Sequence, residues 1–285
     1  AAVLGDPFVM RDRRGVNLRW QPLRYDAGRG ALRITERLVV RITTDPDAAK
    51  HQPAATTGTG SAAFDRLFER NIANYRPSAE KYDALPVRGR MLVVADPAFT
   101  GALAPFVAWK QQLGIETIVT TTAETGASAA GIAQAIAAAY AEPDGLTWVV
   151  LVGDRQQIPT NAGTFDGSDS DSRYALLAGD DLYPDVFVSR ISAADADEVA
   201  TQVAKFVAYE RDPASGAAAD WYARAAGIAS NEGDPKDYER ADLLKTDLLD
   251  YGFATVGSYY QELGGTTAGI AEAIDAGCSL VNYLG

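Results

Sequence analysis

Covalent catalysis with side chains alone calls for a nucleophile and a base, and the sequence offers one thiol, Cys278, and one imidazole, His51. A catalytic thiol must ionise, which requires an exposed, electropositive surrounding. Cys278 instead opens the apolar run Cys278-Ser-Leu-Val-Asn-Tyr-Leu-Gly285, where a cysteine serves as a small buried hydrophobe. His51 lies in the Pro/Thr/Gly-rich stretch from Asp45 to Ser61, so a dyad made within this chain would require two unrelated regions to meet. The residues predict a structural Cys278 and a surface His51.

Carboxylates offer more. Glu232 follows an apolar strand in Ala229-Ser-Asn-Glu-Gly-Asp-Pro235 and would project from its carboxyl end, where open α/β sheets mount functional groups. A carboxylate there can orient a histidine and stabilise its cation, and it can equally be a solvated loop acid or a helix anchor. Asp237 opens the next helix, which suits an N-cap; if recessed, it would bind an arginine guanidinium through both oxygens. Asp166, Asp169, Asp171, Asp180, Asp181 and Asp185 crowd one stretch with few bases. Such an oxygen-rich cluster suits calcium, although no EF-hand spacing is present and a solvated acidic surface explains it as well. Asp154, ending another apolar strand, is a ligand or a helix cap.

The elements that must hold these residues fall into two textures. Residues 1 to about 85 contain Val16 to Trp20, Leu23 to Tyr25 and Ala31 to Thr43, which alternate apolar residues with Arg or Thr around the turn Tyr25-Asp-Ala-Gly-Arg-Gly30. They predict a small antiparallel β unit, followed by a short helix from Phe64 to Tyr75 and a linker ending near Arg90. From residue 90 to 285 short apolar strands alternate with helices: strands at Met91 to Ala95, Ile115 to Thr121, Thr147 to Gly153, Asp185 to Ile191, Ala223 to Ser230, Phe253 to Tyr259 and the terminal run. Continuous apolar strands between helices specify a mostly parallel sheet covered on both faces, a three-layer α/β/α architecture.

Composition narrows the function classes. A chain of 285 residues with 47% hydrophobic content can fill a core. A formal charge of −12 and a pI near 4.6 argue against nucleic acid as a partner. One cysteine forms no internal disulfide, and no apolar run approaches the roughly 20 residues of a membrane span. A nucleotide-binding domain is disfavoured because Asp96-Pro-Ala-Phe99, not a Gly-rich phosphate loop, follows the first parallel strand.

Three segments are similar to the gingipain-like cysteine peptidases, peptidase family C25 with its caspase-like fold: Leu151-Val-Gly-Asp-Arg-Gln-Gln-Ile-Pro159; Ser168 to Tyr174 with Gly179 to Arg190; and Asn282-Tyr-Leu-Gly285. With Trp109-Lys110 and Tyr209-Glu210, the resemblance extends over residues 91 to 285, and Pro22-Leu-Arg-Tyr25 resembles the end of the family's pro-domain. It implies a protein- or peptide-cleaving Cys/His pair, export to the cell surface or outside, and structural calcium. In the family pattern the catalytic histidine would follow Gly285 and the nucleophilic cysteine the next strand. The expectation is therefore a chain that is inactive alone and completed by the remainder of the catalytic domain.

The resemblance also assigns residues. Glu232 matches the acid that approaches the catalytic histidine, and Asp237, counted back from Tyr251-Gly252, matches the pocket aspartate of Arg-specific members, with a shorter preceding loop. If Asp237 selects arginine, Arg88 and Arg90 become processing sites between pro-segment and enzyme. Two rivals share the scaffold: a surface-sorting transpeptidase that passes the acyl group to an amine, and a non-catalytic cell-surface module.

Overall fold

The computed structural model describes residues 2–43, 51, 61–76, 89–143, 145–163 and 167–285. Their packing separates two compact units, Ala1–Val207 and Ala208–Gly285.

The first unit opens with an antiparallel hairpin, β1 (Ala2–Met10) and β2 (Arg13–Trp20). The Gly5-Asp-Pro7 interruption hides β1 from a periodicity reading, and the ladder absorbs it with a register shift between Leu4 and Pro7. A second hairpin pairs β3 (Leu23–Asp26) with β4 (Ala31–Ile34). The alternation continues to Thr43, but among the described residues no strand pairs with residues 35–43, and Val39 is exposed. Alternation without a neighbour to complete the ladder does not make a strand. Helix α1 (Ala62–Asn71) follows, burying Phe64 and Phe68.

Four parallel strands form the sheet of this unit, in the order β10-β7-β5-β6: β5 (Arg90–Ala95), β6 (Glu116–Thr121), β7 (Leu146–Val152) and β10 (Phe187–Ile191). Helices α2 (Thr100–Gln112), α3 (Thr122–Thr125) and α4 (Ala129–Ala141) lie between the first three strands in sequence, and two-residue strands β8 (Asn161–Ala162) and β9 (Asp169–Ser170) lie between β7 and β10. Adjacent residues of a strand face opposite ways, and the core obeys this. Val93, Val150 and Val152 pack with Leu103 and Phe106 of α2 and with Val199 and Val203 of α5 (Ala196–Arg211). Val94, Val149 and Leu151 face Ile132 and Ile136 of α4 on the other side. Burial on both faces is why the two central strands, β5 and β7, read as nearly unbroken apolar runs, while the edge strands β6 and β10 carry polar residues.

The first hairpin is locked onto the segment before β10. Asp185 is fully buried, and its carboxylate accepts the N–H groups of Arg11 at 2.6 Å, Leu177 at 2.8 Å and Ala178 at 2.7 Å. Asp181 accepts from Val9 N–H at 2.6 Å and Tyr183 N–H at 2.8 Å. The Arg11 guanidinium donates to the Leu146 and Asp185 carbonyls and lies over the Phe64 ring, while Phe8 stacks on Tyr183 at 3.8 Å. Gly179 makes this approach feasible: its φ is +82°, and a Cβ there would sit 2.8 Å from that of Val9. Packing thus joins the hairpin to the first parallel sheet, whereas the sequence texture changes near residues 85–90.

The second unit has a three-stranded parallel sheet in the order β12-β11-β13, from β11 (Arg224–Ala229), β12 (Thr255–Tyr260) and β13 (Leu280–Leu284). Helix α6 (Asp237–Tyr251) covers the face holding Ala229, Tyr260 and Leu284 through Ala241 and Tyr238. Helix α7 (Thr267–Asp275) approaches the Tyr259 side through Gly269. Gly227 in β11 leaves room for the Tyr260 ring, whose hydroxyl donates to Asp242 at 3.0 Å.

Candidate active site

The loop from β11 to α6 gathers the two carboxylates singled out in the sequence at the carboxyl end of a parallel strand. Ser230, the first residue past β11, donates its N–H to the Leu284 carbonyl at 2.9 Å, which ties the end of β13 to the start of the loop. Its hydroxyl accepts the Glu232 N–H at 3.0 Å and donates to Asp237 Oδ2 at 2.7 Å. The loop closes through the Asp237 N–H, which donates to the Glu232 carbonyl at 2.9 Å. Gly233 supports the turn with φ +79°, and a Cβ on it would come within 3.0 Å of the Pro235 carbonyl. Any side chain there would also enter the space beside Asp237 Oδ1, 3.6 Å from that Cβ position.

Asp237 occupies the first helical position of α6, not the N-cap, which is Lys236. The N-cap reading is corrected for a physical reason: the Lys236 N–H is satisfied by Glu239 Oε2 at 2.8 Å, and the Asp237 carboxylate turns back to the strand end. Only 13% of the Asp237 side chain is exposed; Oδ2 is held by Ser230, and Oδ1 stands 3.7 Å from Arg240 Nη1. Glu232 is exposed, with its backbone rather than its carboxylate engaged in the loop. The arrangement offers a recessed acceptor for a planar cation in the same loop as an exposed carboxylate, at the end of the sheet where β13 also terminates.

The acidic stretch behaves differently from a cation cage. Asp171 is paired through both oxygens with the Nε and Nη2 of Arg190, each at 2.7 Å, and Arg190 also donates to the Gly153 and Ile158 carbonyls. Asp169 accepts from Arg155 at 2.7 Å and Thr160 at 2.6 Å. Asp181 and Asp185 bind backbone N–H groups, and Asp180 is exposed in a left-handed conformation. Asp166 lies outside the described residues. Among the described residues no three acids, histidines or cysteines come together as metal ligands, so the described aspartates are not gathered around one cation position. Burial pushes the Asp185 carboxyl above its ordinary range, while its three N–H donors pull the other way. Asp154 accepts the Arg155 N–H at 2.8 Å and stays exposed.

Cys278 is a free thiol, partly exposed, just before β13 and so at the end of that strand opposite Leu284. The His51 Nδ1–H donates to the Gly179 carbonyl, beside the docked hairpin, so this histidine is half-buried and held by backbone rather than displayed on the surface. Arg90 is the first residue of β5, its side chain 15% exposed and 3.4 Å from Glu116. Its backbone pairs with Glu116 of β6 and Leu146 of β7. Arg88 lies outside the described residues. Sequence reasoning missed Ser230 and Arg240; the latter carried a signal, since an acid and a base three apart on a helix face one another.

The sequence pattern of Peptidase family C25 matches residues 85–285, and that of Propeptide_C25 matches residues 1–82. Gingipain R2 of Porphyromonas gingivalis is 31% identical over 295 residues, covering 100% of this chain and 39% of that protein. The crystal structure of the Arg-specific cysteine proteinase gingipain R (RgpB) matches at a TM-score of 0.64 with 32% identity, over 74% of this chain and 49% of that one. The complex of Porphyromonas gingivalis RgpB pro- and mature domains matches at 0.63, also 32% identical, over 69% of this chain and 48% of that one. The chain spans about 39% of the length of gingipain R2 and about half of the matched RgpB chains. With its strands, helices and both sequence patterns in agreement, the chain belongs to peptidase family C25, its first 82 residues to the propeptide and residues 85–285 to the peptidase.

Proposed function

We propose that the full-length protein is a cysteine endopeptidase that cuts proteins or peptides after arginine, with Asp237 at the base of the specificity pocket and Glu232 orienting the histidine of the catalytic pair. The observation that carries this reading is the Asp237 carboxylate itself. It is recessed at a strand's carboxyl end, anchored on one oxygen by Ser230, and its other oxygen faces a guanidinium, that of Arg240. A recessed carboxylate rewards the planar fork of arginine above the compact ammonium of lysine.

In the reaction a thiolate attacks the scissile carbonyl, histidine gives its proton to the leaving amine, and water resolves the thioester. Neither Cys278 nor His51 serves in that pair in this reading, because Cys278 stands at the far end of β13 and His51 is bound to Gly179. Residues 1–82 act as a propeptide released by cleavage in the linker at Arg88, and the mature enzyme works outside the cell or on its surface.

The purified full-length protein is expected to cleave arginyl reporter peptides and to lose that activity on treatment with iodoacetamide. Cleavage that survives alkylation, or no cleavage of any peptide after removal of residues 1–82, contradicts the proposal.

A further inference from the structure

We infer that Ser230 is a positioning residue for specificity, fixing the Asp237 carboxylate in the orientation that receives arginine; this rests on the pocket reading of Asp237. An aspartate at the first position of a helix has free rotation about its side-chain bonds and, unrestrained, turns to solvent or to the N–H groups of its own first turn. Here neither occurs. The Ser230 hydroxyl, at 2.7 Å, pulls Oδ2 toward the strand end and leaves Oδ1 as the outward acceptor.

The same serine is itself immobilised from three directions. Its N–H is tied to the Leu284 carbonyl at 2.9 Å, and its oxygen accepts from Glu232 N–H at 3.0 Å, so its proton is directed at Asp237. A hydroxyl has one proton to give. The geometry therefore makes Ser230 a donor to the carboxylate and not to a substrate. Glycine at 233 keeps the Oδ1 side open, and Arg240, half-exposed at 3.7 Å, is a loose partner that an incoming guanidinium can displace. Ser230 consequently acts on binding of the arginine side chain, through Asp237, and touches no reacting atom.

The test is made on full-length protein with two readouts: steady-state cleavage of an arginyl reporter and binding of benzamidine by calorimetry. Ser230→Ala is expected to raise KM and the benzamidine Kd about tenfold, the size of one lost charge-assisted hydrogen bond, with kcat falling far less than KM rises. Ser230→Thr, which keeps the hydroxyl, is expected to stay close to the parent. Should Ser230→Ala fail to fold, Ser230→Cys keeps the volume with a weaker donor and is expected to fall between. Unchanged KM and Kd in Ser230→Ala, where Asp237→Asn raises both, overturn the role of Ser230 alone. No effect of Asp237→Asn removes the pocket reading with it. A loss confined to kcat in Ser230→Ala also overturns the inference, since positioning of a binding carboxylate cannot produce it.

Discussion

At the residue scale the candidate site turns on how one carboxylate is partnered. Asp237 has a firm contact and a loose one, Ser230 at 2.7 Å and Arg240 at 3.7 Å. The Arg240 side chain is 49% exposed, so its pairing with Asp237 contributes little on its own. It nevertheless occupies the acceptor that a substrate guanidinium would use. Replacing it, as Arg240→Gln, is expected to lower KM for an arginyl reporter by about threefold and to leave a neutral competitor peptide unaffected, a gain within the roughly 1 kcal/mol of an exposed ion pair. A rise in KM would mean that Arg240 supports the pocket instead of competing for it. Glu232 and Asp237 were legible from the sequence because each stands at a strand end or helix start. The Ser230 hydrogen bond was not, since residues seven apart across an irregular loop obey no period and only the closed turn brings them together.

Among the elements, the docking of β1–β2 shows what two of the aspartates in the acidic stretch do. Asp181 and Asp185 satisfy N–H groups of the hairpin and of the loop before β10, so charge that looked self-repelling is dispersed among separate donors. Three donors on one carboxylate cannot all be kept by an amide, which has a single acceptor oxygen. Asp185→Asn is therefore expected to cost about 1–3 kcal/mol and to lower the thermal midpoint of this chain by several degrees. The pH dependence carries a sign. Burial raises the folded carboxyl above its ordinary 3.8, so the folded state holds the proton more tightly than the unfolded chain. Its contribution to stability is complete below about pH 4 and declines as pH rises through the folded value. The gap between parent and Asp185→Asn is expected to be larger at pH 4 than at pH 7; a gap that grows toward neutrality contradicts this account of Asp185. No sequence pattern announces such a contact between residues more than 170 positions apart.

Across the whole molecule, the alternation of apolar strands and helices was enough to specify the architecture. Among the described residues seven parallel strands follow the expected runs within a few residues, most clearly β5 and β7, which are buried on both faces and have no polar side to blur their limits. What the alternation could not supply was their division into a four-stranded and a three-stranded sheet, nor β1, whose Pro7 interrupts the pattern that defines a strand. The N-terminal texture change and the packing boundary also differ, since a hairpin that is antiparallel in sequence pattern can still be sealed to an α/β layer by a few buried polar groups. The family patterns of peptidase C25 and its propeptide run over residues 85–285 and 1–82, so membership is carried along nearly the whole sequence and not by one motif.

The most direct measurement is the ratio of kcat/KM for matched arginyl and lysyl reporter peptides, in the full-length protein and in Asp237→Asn. The account predicts a strong preference for arginine that falls by about a hundredfold or more in the variant, as when a charge-paired group loses its partner. Equal cleavage of the two peptides by the parent, or an arginine preference that survives Asp237→Asn, would contradict it.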